Sequence, residues 1–170
     1  MASTVLNGDV EQHGDLSVSS SDFEEGGSLP DWTGYANENE NPELQLSGVP
    51  DDAESLVIVL DDPEARPVGG HTWDHWLVWD VDADVGTIPR DWDAEGTVGY
   101  TDYMEQGYGG PSPPEGSHDY RFKVLALDST LDIPETTRKT RVGSAIAMNA
   151  EVLAATQIEA SYHADQGTAF

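Results

Sequence analysis

The chain has 170 residues and a formal net charge of −26, because 33 acidic residues outnumber only 7 basic ones. This length predicts a single domain, residues 1–170, that is large enough to bury a hydrophobic core. The charge argues against a nucleic-acid partner and against docking on an anionic membrane, since both need lysine and arginine. The sequence has no cysteine, which excludes disulfides and thiolate metal sites.

The acidic residues are spread along the whole chain, and only two of the basic residues are lysine. Such a charge repels itself in dilute buffer, but at ~1 M salt the screening length is only ~3 Å. The composition therefore predicts a halophilic protein with a carboxylate-covered surface. No apolar run approaches the ~20 residues that span a bilayer, and the start lacks the features of a signal peptide. We therefore expect a cytoplasmic protein.

The first half of the chain contains one clear strand. Residues 1–15 are polar and glycine-containing and predict a ragged start, while residues 16–18 have the composition of a short strand. The segment 22–41 is rich in glycine and asparagine, which predicts irregular structure. Residues 55–60 read Ser-Leu-Val-Ile-Val-Leu and predict a strand that is buried on both faces.

The second half contains more strands and one helix. Residues 75–81 and 120–127 predict strands, and residues 134–147 predict a helix. The segment 107–116 holds four glycines and three prolines, which predicts a rigid, non-helical loop. Residues 152–162 predict a helical turn followed by a last strand. Several strands with long loops and little helix indicate a mainly β fold with helical additions.

Few of the polar residues indicate a site when each is taken alone. Asp62 ends a strand before a proline, which suits a fixed carboxylate but is also typical of an ordinary turn. His71 and His75 are four residues apart, but on a strand they would lie ~13 Å apart, so we predict no shared metal. The loop 107–116 can direct backbone N–H groups at an anion, with Gly109, Gly110 or Ser112 as donors.

The order of four motifs is more informative than any one of them. Asp62-Pro63-Glu64-Ala65, Trp73-x-His75-Trp76, Gly107-Tyr-Gly-Gly-Pro-Ser-Pro-Pro114 and His118-x-Tyr120 follow one another along the chain. Together they resemble the phosphatidylethanolamine-binding protein (PEBP) family, and most closely its bacterial and archaeal branch, often called Raf-kinase-inhibitor-like. The resemblance implies two antiparallel sheets, one large and one small, with a few short helices near the C-terminus.

The resemblance also implies a small pocket near the loops. In the family this pocket receives phosphate, sulfate, acetate-like anions or a phosphoethanolamine head group. We predict no metal and no other cofactor for this chain. Asp62 would either orient a histidine or face the ammonium end of a zwitterionic ligand. Carried over residue by residue, the ligand-binding set is Asp62, Trp73, His75, Gly110, Pro113, His118 and Tyr120.

Three positions depart from the family motifs. Arg66 is an additional residue that would either reach the pocket or pair with a surface carboxylate. Asp119 stands where the family usually has arginine, and it would weaken anion binding if it faced the site. Ser112 stands at the usual cysteine of the loop.

These observations favour a non-enzymatic binding protein, of regulatory or inhibitory type, whose protein partner is unknown. One alternative is a small hydrolase-type enzyme, because a pocket with histidine and aspartate can host acid/base chemistry. The sequence has no Gly-x-Ser-x-Gly nucleophile motif, which disfavours that alternative. A second alternative is a protein that acts through its surface like a kinase or protease inhibitor. The prokaryotic branch also makes a homodimer plausible.

Overall fold

Two antiparallel sheets form the fold, as the resemblance implies. The computed structural model describes residues 4–65 and 72–167, and within them the five-stranded sheet has the order β6-β4-β3-β7-β8 and the three-stranded sheet the order β1-β2-β5. The strands are β1 (Ser17–Ser19), β2 (Leu44–Ser47), β3 (Ser55–Asp62), β4 (Trp73–Asp82), β5 (Thr87–Ile88), β6 (Thr97–Val98), β7 (Ser117–Leu127) and β8 (Val152–His163).

The large sheet is buried on both faces because its central strand is apolar on both sides. Successive side chains of a strand point to opposite faces. Leu56, Ile58 and Leu60 therefore join the core between the two sheets, whereas Val57 and Val59 join a second core on the other face. The small sheet covers the first core, and a helix covers the second. The sequence thus predicts correctly that residues 55–60 form a fully buried strand.

The helices are short. Within the described ranges they are α1 (Thr4–Asn7) and α2 (Lys139–Asn149), with 3-10 turns at Asp31–Thr33, Pro63–Ala65 and Ala164–Gly167. Helix α2 begins five residues later than predicted, and it places Val142 and Ile146 in the second core. The predicted helical turn at the start of 152–162 is wrong, because β8 is a strand from Val152 to His163 that pairs with β7, with one irregularity at Leu153.

The described part of the N-terminal segment packs onto the large sheet. The Leu6 side chain is fully buried in the second core. His13 forms an isolated antiparallel bridge with Ala155 of β8. This contact covers part of an edge strand whose unpaired N–H and C=O groups would otherwise face solvent.

One irregularity of the large sheet positions the site. Leu60 pairs with Trp76, but the next pair joins Asp61 to Asp74, so His75 is an extra residue with no partner on β3. This is a β-bulge, which redirects side chains. It turns His75 to the same face as Trp76, where regular alternation would have placed it on the opposite face. The backbone carbonyl of His75 accepts a hydrogen bond from the Gly109 N–H at 2.8 Å.

No helix in the described part of the chain is long and apolar enough to cross a membrane.

Candidate functional site

A cavity of about 210 Å³ opens where the C-terminal end of β3 meets the starts of β4 and β7. The loop that contains residues 112–114 closes one side of it. Six of the seven residues predicted to bind ligand lie around this one cavity. Its lining consists of Asp62, Ala65, Trp73, His75, Tyr103, Ser112, Pro113, Pro114, His118 and Tyr120.

Asp62 holds the ring of His118. Nδ1 of His118 lies 2.6 Å from Oδ2 of Asp62, and Oδ1 of Asp62 accepts the Glu64 backbone N–H at 2.8 Å. Since a carboxylate only accepts hydrogen bonds, Nδ1 of His118 carries the hydrogen. Of the two roles considered for Asp62, this geometry matches the one in which it orients a histidine. The His118 side chain is 15% exposed, so its other nitrogen, Nε2, remains available to a ligand.

The ring of His75 is held by a backbone carbonyl of the glycine- and proline-rich loop 107–116. Its Nδ1 lies 2.7 Å from the Gly109 carbonyl oxygen, and since a carbonyl only accepts, Nδ1 is again the protonated nitrogen. The side chain is 2% exposed, and burial lowers the pKa of His75, although the Gly109 carbonyl acts in the opposite direction. His75 is therefore a neutral imidazole whose Nε2 is an acceptor.

Tyr120 carries a buried hydroxyl without a partner. The residue is fully buried at the cavity, and its hydroxyl lies near the Asp62 carboxylate and the Ser112 backbone without a hydrogen bond of acceptable geometry to any described residue. Burial raises the pKa of Tyr120 well above its ordinary value, and the nearby Asp62 carboxylate adds to the rise. A buried hydroxyl that lacks a partner is costly, so it indicates a place for a ligand atom.

The structure corrects the prediction for Gly110, which does not line the cavity. Its N–H donates to Oδ1 of Asn39 at 2.7 Å, and its carbonyl accepts from the Tyr103 hydroxyl. A Cβ at Gly110 would lie 1.9 Å from the Thr33 carbonyl oxygen, so close packing explains the glycine. The N–H of Gly109 is likewise used within the protein, which leaves Ser112 as the remaining candidate donor of the three.

The cavity has an aromatic wall that the sequence motifs do not predict. The half-buried Tyr103 lines the cavity, and its ring stacks on that of Tyr35 with centroids 3.9 Å apart. The rings of Trp73 and His75 meet Tyr103 edge-on at 5.8 and 5.6 Å. Tyr103 lies in an irregular segment outside all four motifs, so only its aromatic character could have drawn attention to it.

Of the departures from the family motifs, Asp119 lies away from the cavity and Arg66 falls outside the described residues. Asp119 is exposed and does not line the cavity, because alternation along β7 turns it away from Tyr120. Its backbone N–H donates to the Glu64 carboxylate. Arg66 lies outside the described residues, as does His71.

A buried ion cluster occupies the opposite face of the sheet from the cavity. Asp61 is fully buried and accepts from Arg121 at 2.7 and 3.0 Å, from Lys123 at 2.7 Å and from Lys139 at 2.9 Å. Lys139 also pairs with Asp74, so it joins β3 and β4 at the bulge. Burial alone would raise the pKa of Asp61, but the three cations together hold it below its ordinary value.

The described residues contain no group of three or more histidine and acidic side chains placed to hold a metal ion. The cavity itself offers the chemistry of its lining side chains. Those groups are one His–Asp pair, one neutral histidine, one hydroxyl without a partner and an aromatic wall. Such a set can recognise a small polar group by hydrogen bonds.

Comparison with known proteins identifies the family. The family model described as phosphatidylethanolamine-binding protein matches residues 19–163. The chain belongs to this family. A UPF0098 protein of Methanothermobacter thermautotrophicus is 34% identical to this PEBP-family chain over 131 residues, which cover 71% of the chain and 82% of that protein.

Further comparisons give the same family and fold. A UPF0098 protein of Pyrococcus horikoshii is 42% identical over 110 residues, which are 58% of this chain and 54% of the relative. The match thus spans about half the length of that curated relative. The crystal structure of the PEBP homologue from Chlamydia trachomatis has a TM-score of 0.82 at 26% identity and covers 88% of this chain and 98% of its own. The two-sheet PEBP fold is therefore confirmed.

Proposed function

We propose that the cavity binds a small phosphate-like anion and that this binding is not catalytic. The observation that carries the proposal is the buried Tyr120 hydroxyl, which lies at the cavity without a partner. A ligand oxygen that accepts from this hydroxyl would offset the cost of burying it. In this proposal the chain acts as a regulatory or inhibitory binding protein, and its protein partner is unidentified.

His118 supports the same ligand class. Because Asp62 fixes Nδ1 of His118 as a donor, a protonated ring presents Nε2–H toward the cavity mouth as a charge-assisted donor. Tyr120 and His118 both lie on β7, two residues apart, and residues i and i+2 of a strand share one face. Their donors can therefore converge on one ligand.

The test is the substitution Tyr120→Phe, with inorganic phosphate as the probe. We expect phosphate affinity to fall about tenfold, which is the usual effect of one lost hydrogen bond to a charged group. We also expect the free energy of unfolding to stay the same or rise, since removing an unpartnered hydroxyl removes a desolvation cost. Isothermal titration gives the affinity, and urea unfolding gives the stability.

Tyr108→Phe is the matched control. The Tyr108 hydroxyl donates to the Thr33 carbonyl at 2.9 Å and does not line the cavity. Its loss should lower stability by about 1 kcal/mol and leave phosphate affinity unchanged. If Tyr120→Phe bound phosphate as tightly as the natural chain, the proposed site would be wrong.

One observation favours a second candidate, which is hydrolysis. The Asp62–His118 pair has the arrangement of an oriented general base, and Ser112 lines the same cavity. Against it, the described residues show no hydrogen bond between Ser112 and His118, so the hydroxyl is not activated in this arrangement. The test is turnover of fluorogenic esters and phosphoesters. If the natural chain hydrolyses them and both Ser112→Ala and His118→Ala do not, the cavity is a catalytic site and not only a binding site.

A further inference from the structure

The ring of His75 lines the cavity and offers it a lone pair and not a hydrogen. Its Nδ1–H is used by the Gly109 carbonyl at 2.7 Å, and no residue in the described ranges bonds to Nε2. An imidazole in this tautomer accepts at Nε2. The bulge at His75 and the loop that supplies Gly109 fix this orientation, so the ring cannot offer its donor side without breaking a buried hydrogen bond.

Burial lowers the pKa of His75 by more than the nearby carboxylates of Asp62 and Asp61 raise it, so the ring is neutral. On β3 the Asp62 carboxylate is satisfied by His118 and the Glu64 N–H, and Asp61 lies across the sheet within its cluster of cations. Tyr120 on β7 approaches the ring edge-on at 5.3 Å. Tyr103 from the loop approaches it at 5.6 Å, and its hydroxyl is bound to the Gly110 carbonyl. None of these groups donates a proton to Nε2.

We propose that His75 makes the cavity selective for an oxyanion that carries its own proton, such as hydrogen phosphate, over one that carries none, such as sulfate. The inference rests on the proposed function and deepens it. Hydrogen phosphate has a P–OH that can donate to Nε2 of His75, while its other oxygens accept from the Tyr120 hydroxyl and, when the His118 ring is protonated, from Nε2–H of His118. Sulfate would place an anionic oxygen against the Nε2 lone pair, with no hydrogen between them.

The same chemistry separates two sources of phosphate. Free phosphate keeps a P–OH at neutral pH, whereas the phosphodiester of a lipid head group has none. Dimethyl phosphate therefore serves as a probe for the diester, because it also lacks the ammonium group that a full head group would bring. We expect it to bind as poorly as sulfate.

The experiment compares hydrogen phosphate, sulfate and dimethyl phosphate on the full chain at about pH 8, in KCl of fixed and high ionic strength. Hydrogen phosphate and sulfate are then dianions of the same shape, so the proton is the main difference between them. We expect hydrogen phosphate to bind at least about tenfold more tightly than sulfate, because a site built around a hydrogen bond rejects the analogue that lacks it.

Sulfate or dimethyl phosphate binding within about twofold of phosphate would overturn the selectivity while leaving the anion site intact. If none of the three anions binds, the proposed function fails together with this inference. The two failures are therefore distinguishable in one series of titrations.

The variant His75→Gln gives a second readout, because a side-chain amide can turn an N–H donor toward the ligand. We expect its preference for phosphate over sulfate to disappear. His163→Gln is the control, since this half-exposed histidine does not line the cavity, and it should keep the preference.

Near-UV circular dichroism checks the fold of both variants. If His75→Gln does not fold, the comparison of anions on the natural chain decides the question alone.

Discussion

Asp61 and Asp62 are neighbours in the chain and serve opposite faces of one sheet. Asp61 accepts from Arg121, Lys123 and Lys139 in a buried ion cluster, whereas Asp62 lines the cavity and holds His118. This division follows from strand geometry, because successive side chains point to opposite sides. The two carboxylates should therefore respond differently to the same substitution.

We expect Asp62→Asn to weaken phosphate binding about tenfold with little loss of stability. Both oxygens of Asp62 accept from N–H donors, those of His118 and Glu64. An asparagine must turn its own NH₂ group toward one of these donors, so the orientation of the His118 ring is lost. Isothermal titration with phosphate measures the effect. Unchanged affinity would mean that Asp62 does not position His118 for the ligand.

We expect Asp61→Asn to lower the free energy of unfolding by about 3–5 kcal/mol, because it leaves buried cations without their counter-charge. Urea unfolding in concentrated KCl measures this. Asp93→Asn, at an exposed position, is the control and should change stability by less than about 0.5 kcal/mol. A loss for Asp61→Asn no larger than for the control would show that the cluster adds nothing to stability.

The long strands β3, β4 and β7 were predictable from sequence because each contains an apolar run, whereas the short strands β2, β5 and β6 were not predicted. Ser55–Asp62, Trp73–Asp82 and Ser117–Leu127 each contain a run of buried residues that no helix pattern explains. The sequence predicts a helical turn at the start of β8, because Val152 and the alanines after it fit either structure. Only pairing with β7 decides in favour of a strand.

The site was predictable only through the ordered motifs, and its chemistry was not. The tautomer of His75 depends on a bulge and on a carbonyl 34 positions away in sequence, which no local pattern reveals. The role of Gly110 depends on a contact with Thr33, and the wall formed by Tyr103 lies outside the motifs. Neither lysine of the chain lies on the surface, because both are buried beside Asp61.

The buried Lys123 makes the stability of the fold depend on pH. Burial lowers the pKa of Lys123 from 10.5 to about 8, even though Asp61 acts to raise it. Between these values the unfolded chain binds more protons than the folded chain, so the free energy of unfolding rises with pH. Above about pH 10 the trend reverses, since burial raises the pKa of Tyr103 and Tyr120 and the unfolded state then binds fewer protons.

We therefore expect stability to rise between about pH 8 and pH 10 and to fall beyond it. Urea unfolding at a series of pH values, all in concentrated KCl, measures the profile. Lys123→Met removes the titrating group and should remove the rise below pH 10 while keeping the fall above it. A variant profile that rises as steeply as that of the natural chain would assign the effect to another group.

Gly110→Ala tests whether this glycine supports the fold or the ligand. A Cβ there would lie 1.9 Å from the Thr33 carbonyl oxygen, so the loop must move, and we expect a loss of at least about 2 kcal/mol. Gly26→Ala is the control, because Gly26 has a positive φ of 76° but open space around it, and it should lose about 1 kcal/mol. Equal losses in thermal or urea unfolding would contradict the packing explanation.

The surface charge should make both stability and phosphate binding depend on salt. The chain carries a net charge of −26, and its two lysines are both buried, so carboxylates on the surface repel one another with little compensation. Raising KCl from about 0.1 M to about 1 M shortens the screening length from about 10 Å to about 3 Å. We expect the free energy of unfolding to rise across this range. We also expect phosphate to bind more tightly, because the negative surface then repels it less.

Sucrose is the control, since it is excluded from the protein surface without screening charge. If sucrose reproduced the whole effect of KCl, or if phosphate affinity did not improve with salt, electrostatic screening would not be the cause.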